Sequence, residues 1–396
     1  MADIELPSQD SPDLHLVVAT PEELVAQHHS NSTEWRGALS LEAYLRREEH
    51  LLKQDLTKDG GLTPWMLVFQ PQGPNERKVL CGCESLKKKA LLARDGRVDD
   101  VVAHGVASVF CPPEHRGRGY AGRMMSELGK KLRSWQVEDG KSSAFSVLYS
   151  DIGKEFYAAR GWQVFPSAHV SLSAVSSGGT DLKSVRTLQS HDLPDLCAVD
   201  EKVLRSRLGA LENRTKSAVA LLPDNTTLTW HHAREDFIAT ALNDGTYPAF
   251  MQSGRGALVD IEGGSGRVWC YWIRVWTNPR EKALDTLHIL RLVVEDDGYD
   301  DIAPASEERT KEMAESPVVK AIAAVLSKAR EAAYLSGMDE VQIWNPTSAT
   351  LAAAQRLERS STIVHRESES ITSLQWYGEG SWKDVEWVCN EKYGWC

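Results

Sequence analysis

Residues 111–125 read Cys-Pro-Pro-Glu-His-Arg-Gly-Arg-Gly-Tyr-Ala-Gly-Arg-Met-Met. Within them Arg116, Gly117, Arg118, Gly119, Tyr120 and Ala121 carry the chain from two prolines into a helix-like run. Glycines there let successive backbone N–H groups converge on an anion with no side chain in the way. The first helical turn adds its own unpaired N–H groups and the positive end of the helix dipole. Arginine contributes a planar donor fork that fits phosphate oxygens. Together these features predict a diphosphate ligand. The pattern is not a Walker loop, because no Gly-Lys-Ser/Thr follows, and it lacks the third glycine of a dinucleotide fingerprint.

Other reactive side chains are scattered. The seven cysteines stand at 81, 83, 111, 197, 270, 389 and 396. Cys81 and Cys83 are too close for a C-x-x-C ligand pair, and no second pair complements them, so reduced thiols and no metal are expected. His231 and His232 are adjacent on an apparent helix, hence about 100° apart, and do not make a metal pair. Arg274 and Arg291 interrupt apolar strands, where an arginine is costly to bury unless it meets an anion. Such an anion is either a carboxylate of the chain, with Glu235 and Glu295 as candidates, or a ligand; Arg234 is a third candidate to contact substrate.

The elements that must position these residues follow from pattern. A strand is expected at Leu14–Val18, then a helix with Thr20 as N-cap and Pro21 at its first position. A second helix covers 41–54, and strands follow at 65–70, 79–87 and 101–110. Pro112 and Pro113 end the last of these. The helix over 120–135 shows one apolar stripe, Ala121, Met124, Met125, Leu128, Leu132 and Trp135. A strand at 143–150, a helix stopped at Gly161 and a strand at 162–167 complete the first half. Ser and Gly residues between 171 and 184 read as a linker. The division expected is 1–172, a linker at 173–184, and 185–396.

The second half repeats this order: a strand then a helix within 185–204, and a helix at 231–242. Strands at 248–253, 266–276 and 286–296 follow, then a helix at 317–335, a strand at 340–346, a helix at 348–358 and a strand at 371–377. The acidic 296–308 stands where the first half has its Arg/Gly turn, and would repel phosphate.

With 396 residues the chain exceeds the usual size of one core, so two domains are expected. Its 42% hydrophobic and 26% charged residues are those of a globular protein. The net charge of −11 argues against a nucleic-acid partner. The acidic start lacks a signal peptide's order and no apolar run approaches a membrane span, so a cytoplasmic protein with no membrane partner is expected. Oligomeric state is left open.

The run Arg116-x-x-Gly119-x-Ala121 resembles the R/Q-x-x-G-x-G/A signature of the GNAT superfamily of acetyl-CoA-dependent N-acetyltransferases. "FYAARGW" at 156–162 resembles the family's second motif. More narrowly, the stretches at 107–125, 148–162, 287–296 and 390–395 are similar to the fungal lysine N-epsilon-acetyltransferases of lysine catabolism. The resemblance implies an α/β (α+β mixed-sheet) GNAT fold, and the repeated element order with its acidic insert is read as a degenerate GNAT-like second domain that cannot bind CoA and instead completes the acceptor site. The resemblance also implies acetyl-CoA as co-substrate and a small amine as acceptor, best taken as the ε-amine of free lysine, attacked directly in a ternary complex. The alternatives are a polyamine, a secondary-metabolite amine or a protein lysine as acceptor, or a silent CoA-binding scaffold.

Carried onto this chain, Val109 and Phe110 would hold the pantetheine arm and Arg116, Gly117, Arg118, Gly119, Tyr120 and Ala121 the pyrophosphate. Tyr157 would serve the departing thiolate as proton donor, while Phe156 faces the core. Ser150 stands where many members carry Asn. Cys111, at the strand end nearest the thioester, would allow an acetyl-cysteine route, but the family transfers directly. The ε-ammonium must also lose a proton, and Glu84 and His104 are the candidates for that base.

Overall fold

The computed structural model describes residues 6–71, 73, 77–137, 143–176, 184–211, 217–264 and 266–396. Most of the linker expected at 173–184 lies outside them.

In the first half the order is β1 (Leu14–Val18), α1 (Pro21–Trp35), α2 (Leu41–Leu52), β2 (Leu62–Phe69), β3 (Lys78–Arg94), β4 (Arg97–Phe110), α3 (Tyr120–Leu132), β5 (Ser143–Ser150), α4 (Glu155–Ala158), β6 (Gln163–Val164) and β7 (Ala168–Ser173). The second half runs β8 (Arg186–Leu188), α5 (Leu193–Gly209), β9 (Ser217–Leu221), α6 (Asn225–Leu242), β10 (Gly256–Asp260), β11 (Arg267–Val275), β12 (Thr286–Glu295), α7 (Glu307–Met313), α8 (Pro317–Leu335), β13 (Glu340–Trp344), α9 (Ser348–Leu357), β14 (Val364–His365), β15 (Ile371–Trp376) and β16 (Val385–Trp387).

Thr20 caps α1 as expected, in a capping box with Glu23. The hairpin between β3 and β4 is longer than expected on both sides. It closes on Asp95 and Gly96, both at positive φ, the two-residue turn that Asp-Gly favours. Residues 249–253 form a 3-10 helix rather than the expected strand. Strands β7, β9, β10, β14 and β16 and helix α7 were not expected from the pattern.

Two mixed sheets result. One has the order β1-β2-β3-β4-β5-β15-β6, with β9 on the far end of β3 and β16 on β9; the other has the order β14-β7-β13-β12-β11-β10-β8. Each contains one central parallel pair, β4 with β5 and β12 with β13. The halves also exchange a strand: β7 pairs with β13 of the second sheet, and β15 with β5 of the first. Sheet membership therefore does not follow the 1–172 and 185–396 division.

Helix α3 lays Met124, Met125, Leu128 and Leu132 against Cys83, Val106 and Leu148 on one face of the first sheet. Phe145 and Val147 of that sheet and Trp269, Tyr271 and Leu290 of the second belong to one apolar core that also takes in Trp387 and Tyr393. Each large side chain buried there contributes about 1.5–3 kcal/mol. Together with the exchanged strands, that core holds the halves together.

Candidate active site

Strands β4 and β5 pair from Val102 with Ser143 to Val106 with Leu148, and no further. Beyond that point β5 is held on its other side, Tyr149 and Ser150 pairing with Thr372 and Ile371 of β15. The end of β4, residues 107–110, thus has no strand on its β5 side among the described residues, and Val109 and Phe110 lie along this gap. A bulge adds to the divergence: Gly82 stands opposite Phe110 and Glu84 opposite Ala107, with Ser108 at φ 53°.

At the mouth of the gap lies the Arg/Gly turn. Gly117 (φ 76°) and Gly119 (φ 81°) are both in the left-handed region, and Gly119 is the N-cap of α3. Residues 116–119 are exposed and Tyr120 is buried, so the turn presents backbone N–H groups and arginines to solvent. Arg116 is steadied by a bond from Nε to the Cys111 carbonyl (2.8 Å) and lies 5.5 Å over the Phe110 ring. Gln9 packs above Gly119, and the Tyr120 hydroxyl donates to the Pro7 carbonyl. Ala121 follows in the first turn of α3, half-buried.

Helix α4 borders the other side of the gap. Arg160 stacks 4.1 Å over Phe156, donates to the Phe156 carbonyl (2.7 Å) and packs on Gly122, where a Cβ would fall 2.7 Å from Nη2. This docks α4 on the start of α3. Tyr157 is the more buried of the aromatic pair, and Phe156, expected to face the core, is half-buried at its edge. Burial, then the nearby Cys83 and Asp151, push the Tyr157 phenol well above its usual value, and no described residue hydrogen-bonds it. The Ser150 hydroxyl is engaged in the β5–α4 turn, donating to the Gly153 carbonyl (2.7 Å) and accepting from the Ile152 N–H (3.2 Å).

The structure separates the two candidate bases. His104 lies on the α3 side of the sheet, fully buried and within the paired part of β4 opposite Ser146; desolvation pushes its pKa down to about 4, so it is neutral. Glu84 stands at the bulge itself, on the opposite face. It accepts from the Ser108 hydroxyl (2.6 Å) and lies 3.2 Å from His28 Nε2. Burial works against charge on both partners, but their mutual attraction prevails: His28 is raised, and Glu84 lowered, with Ser108 assisting.

His28 was not singled out from the sequence. Its signal is a helix face with the wrong polarity: α1 buries Gln27, His28, Asn31 and Ser32, where a packing helix buries apolar residues. Gln27 Oε1 and Asn31 Oδ1 are buried without a partner among the described residues. Gly82 permits that approach, since a Cβ there would fall 2.5 Å from Gln27 Oε1.

The arginines in apolar strands are structural. Arg274 pairs with Glu235 (2.8 Å) and donates to Ser336 and Ser253. Arg291 pairs with Asp200 (2.6 Å) and with Glu391, not with Glu295. Arg234 has no carboxylate partner among the described residues and lies 5.4 Å over Trp395.

The second half carries a corresponding gap and closes it. Strand β12 pairs with β13 only from Thr286 to Ile289. Beyond it the Leu292 N–H donates to Glu391 (2.9 Å). Trp387, Cys389, Asn390, Tyr299 and Asp301 line the cavity that remains, about 80 Å³ in volume. Asp301, from the acidic insert, accepts from the Ala349 N–H at the start of α9 (2.7 Å). Among the described residues, no His, Cys, Asp and Glu group could hold a metal, and no helix is long and apolar enough to cross a membrane.

A mixed sheet with parted central strands, an Arg/Gly turn and a following helix defines the GNAT fold; the second half repeats the sheet and helix order without the Arg/Gly turn, and the halves exchange their last strands. A GCN5-related N-acetyltransferase of Anabaena variabilis matches with a TM-score of 0.51 over 92% of this chain and 73% of that one, at 14% identity. Saccharomyces cerevisiae N-myristoyltransferase, solved with bound myristoyl-CoA, matches with a TM-score of 0.50 over 96% and 83%, at 10% identity. The family described as the LYC1 GNAT-like C-terminal domain matches residues 169–396, and the chain belongs to it. A lysine acetyltransferase of Yarrowia lipolytica is 24% identical over 261 residues, covering 56% of this chain and 65% of that protein's length. The uncharacterized protein YGR111W of Saccharomyces cerevisiae is 22% identical over 414 residues, 93% of this chain and 94% of its own.

Proposed function

We propose that the chain moves acetyl from acetyl-CoA to a small primary amine, the ε-amine of free lysine fitting best. The observation that carries this is the parting of β4 from β5 beyond Val106, with the Gly117–Gly119 turn on one side and Tyr157 on the other. In this reading Val109 and Phe110 hold the pantetheine arm by their backbone, and residues 116–121 hold the pyrophosphate. Ser150 contributes by shaping the turn into α4. The closed second gap fits a half that shapes the acceptor site and binds no CoA of its own. The name of the Yarrowia relative supports lysine as acceptor.

The chemistry divides between the two faces of the gap. Glu84, ionised at neutral pH, takes a proton from the substrate ammonium, directly or through one water. The freed amine attacks the thioester carbonyl; a C–N bond forms and the C–S bond breaks. The leaving thiolate takes a proton from Tyr157, whose phenol is kept protonated by burial, and the nitrogen's second proton, lost as the intermediate collapses to the amide, returns to Tyr157 through water. Cys111 is half-buried with its sulfur 3.8 Å from the Leu80 carbonyl, and no covalent step through it is needed. The test is a panel of free amino acids, polyamines and peptides with acetyl-CoA, read as CoA-thiol release. Release with free lysine above the others supports the reading; none with any amine overturns it.

A further inference from the structure

Residues 6–13, ahead of β1, are laid across the start of α3. Leu6 packs against the apolar cluster beneath that helix. The Pro7 carbonyl accepts from the Tyr120 hydroxyl, and the Gln9 carbonyl accepts from Arg123 Nη1 (3.1 Å). Before the chain enters β1 it closes a turn of its own, the Ser11 N–H donating to the Ser8 carbonyl (3.0 Å) and the Leu14 N–H to the Ser11 carbonyl (3.3 Å). Gln9 stands at the exposed head of that turn. Both ties to α3 come from its first turn, directly after the Arg/Gly run.

The Gln9 side chain lies over Gly119 instead of extending into water. A Cβ added to Gly119 would fall 1.6 Å from Gln9 Oε1, 2.6 Å from its Cδ and 3.2 Å from its Cβ, and these are the nearest atoms. At Gly117, the other left-handed glycine of the run, an added Cβ would meet nothing within 4 Å. The turn is therefore open at residue 117 and flanked at residue 119 by a carboxamide from outside the motif. Only the backbone carbonyl of Gln9 enters a hydrogen bond among the described residues. Ordering a long side chain costs rotamer entropy. Here the cost is met beside backbone N–H groups that converge on an anion, and a carboxamide carries two N–H donors with no charge to repel one.

We propose that Gln9 is a diphosphate-binding residue of the cofactor site, its carboxamide donating to the pyrophosphate of CoA beside the 116–121 turn. The segment ahead of β1 then completes that site, and its two ties to α3 hold the amide in place. This rests on the acetyl-transfer reading above. The neutral amide matters: a carboxylate of the same shape would set a negative charge against the diphosphate.

The test is calorimetry with CoA on the full chain and on Gln9→Ala and Gln9→Glu, with thermal melts to check the fold. Removing the donor in Gln9→Ala should weaken binding by ~3- to 10-fold, and adding the charge in Gln9→Glu by ~10- to 100-fold. The deficit of Gln9→Glu should shrink as salt is raised, an electrostatic signature that a purely structural role would not give. Both deficits should persist with 3′-dephospho-CoA, which keeps the diphosphate and lacks the ribose phosphate. Unchanged affinity in both variants overturns the proposal. Tighter binding by Gln9→Ala also overturns it, since the amide then blocks the turn. Deficits that vanish with 3′-dephospho-CoA do so too, by moving the contact to the ribose phosphate. All three results leave acetyl transfer intact, whereas an unaltered chain that binds no CoA overturns both readings.

Discussion

Ser108, held at φ 53° by the bulge in β4, donates its hydroxyl to Glu84 at 2.6 Å. A left-handed serine is uncommon and persists where its surroundings impose it. Here it ties the divergence of the strands to the orientation of the carboxylate. Glu84→Gln should lower kcat by ~10²- to 10⁴-fold with acetyl-CoA affinity unchanged, because the base acts only on the acceptor. Steady-state kinetics and calorimetry check this.

The same carboxylate makes stability depend on pH. Glu84 lies below its ordinary 4.5, so its contribution is full above that value and lost as pH falls through its lower folded value. His28 lies above its ordinary 6.5, so its contribution is full below 6.5 and lost as pH rises through its higher folded value. His28→Gln should therefore lower Tm more at about pH 5.5 than at about pH 8.5. The difference between the two melts is the readout, and an equal loss at both would refute the pairing.

Gly119→Asp should abolish detectable CoA binding by setting a carboxylate against the pyrophosphate. Any side chain there is strained by φ 81° and must displace the end of Gln9, whose Oε1 would lie 1.6 Å from a new Cβ. Gly119→Asn shares both obstacles, and Asn tolerates left-handed backbone. Asp should therefore bind CoA ~10- to 100-fold more weakly than Asn. Equal calorimetric affinities would remove the phosphate-binding assignment.

Tyr157→Phe should lower kcat by ~10- to 10³-fold and leave acetyl-CoA affinity near wild type, since the phenol is required as the thiolate departs. Rapid-mixing measurement of CoA release reports the step itself. A wild-type rate would assign the proton to water or another donor.

Much of this site is legible in one dimension because its signals are local. The Arg/Gly turn precedes its helix, Tyr157 sits in a short motif, and α8 spans the expected 317–335. What escapes is long-range. Nothing near residue 170 says that β7 joins the other sheet, since strand exchange depends on which edge is open rather than on local pattern. Ser108 and His28 acquire their roles from a bulge and a helix packed 56 residues from Glu84. Asp95-Gly96 is the reverse case, a hairpin signal present in the sequence and left unread.

From the sequence Arg274 and Arg291 could meet either a carboxylate of the chain or a ligand, and they are bound to Glu235 and to Asp200 and Glu391. Replacing either by Met leaves a buried carboxylate short of a partner, so each should lose about 3 kcal/mol in denaturant unfolding. The lysine KM of the protein that remains folded should stay near wild type. A steep rise in KM at unaltered stability would restore them as substrate contacts.

The most direct measurement is to incubate the chain with acetyl-CoA and free lysine and locate the acetyl group by NMR. The account predicts Nε-acetyl-lysine formed in step with CoA release, lost together in Glu84→Gln and Tyr157→Phe. Acetyl found on the α-nitrogen, or CoA released with no acetylated lysine, would contradict it.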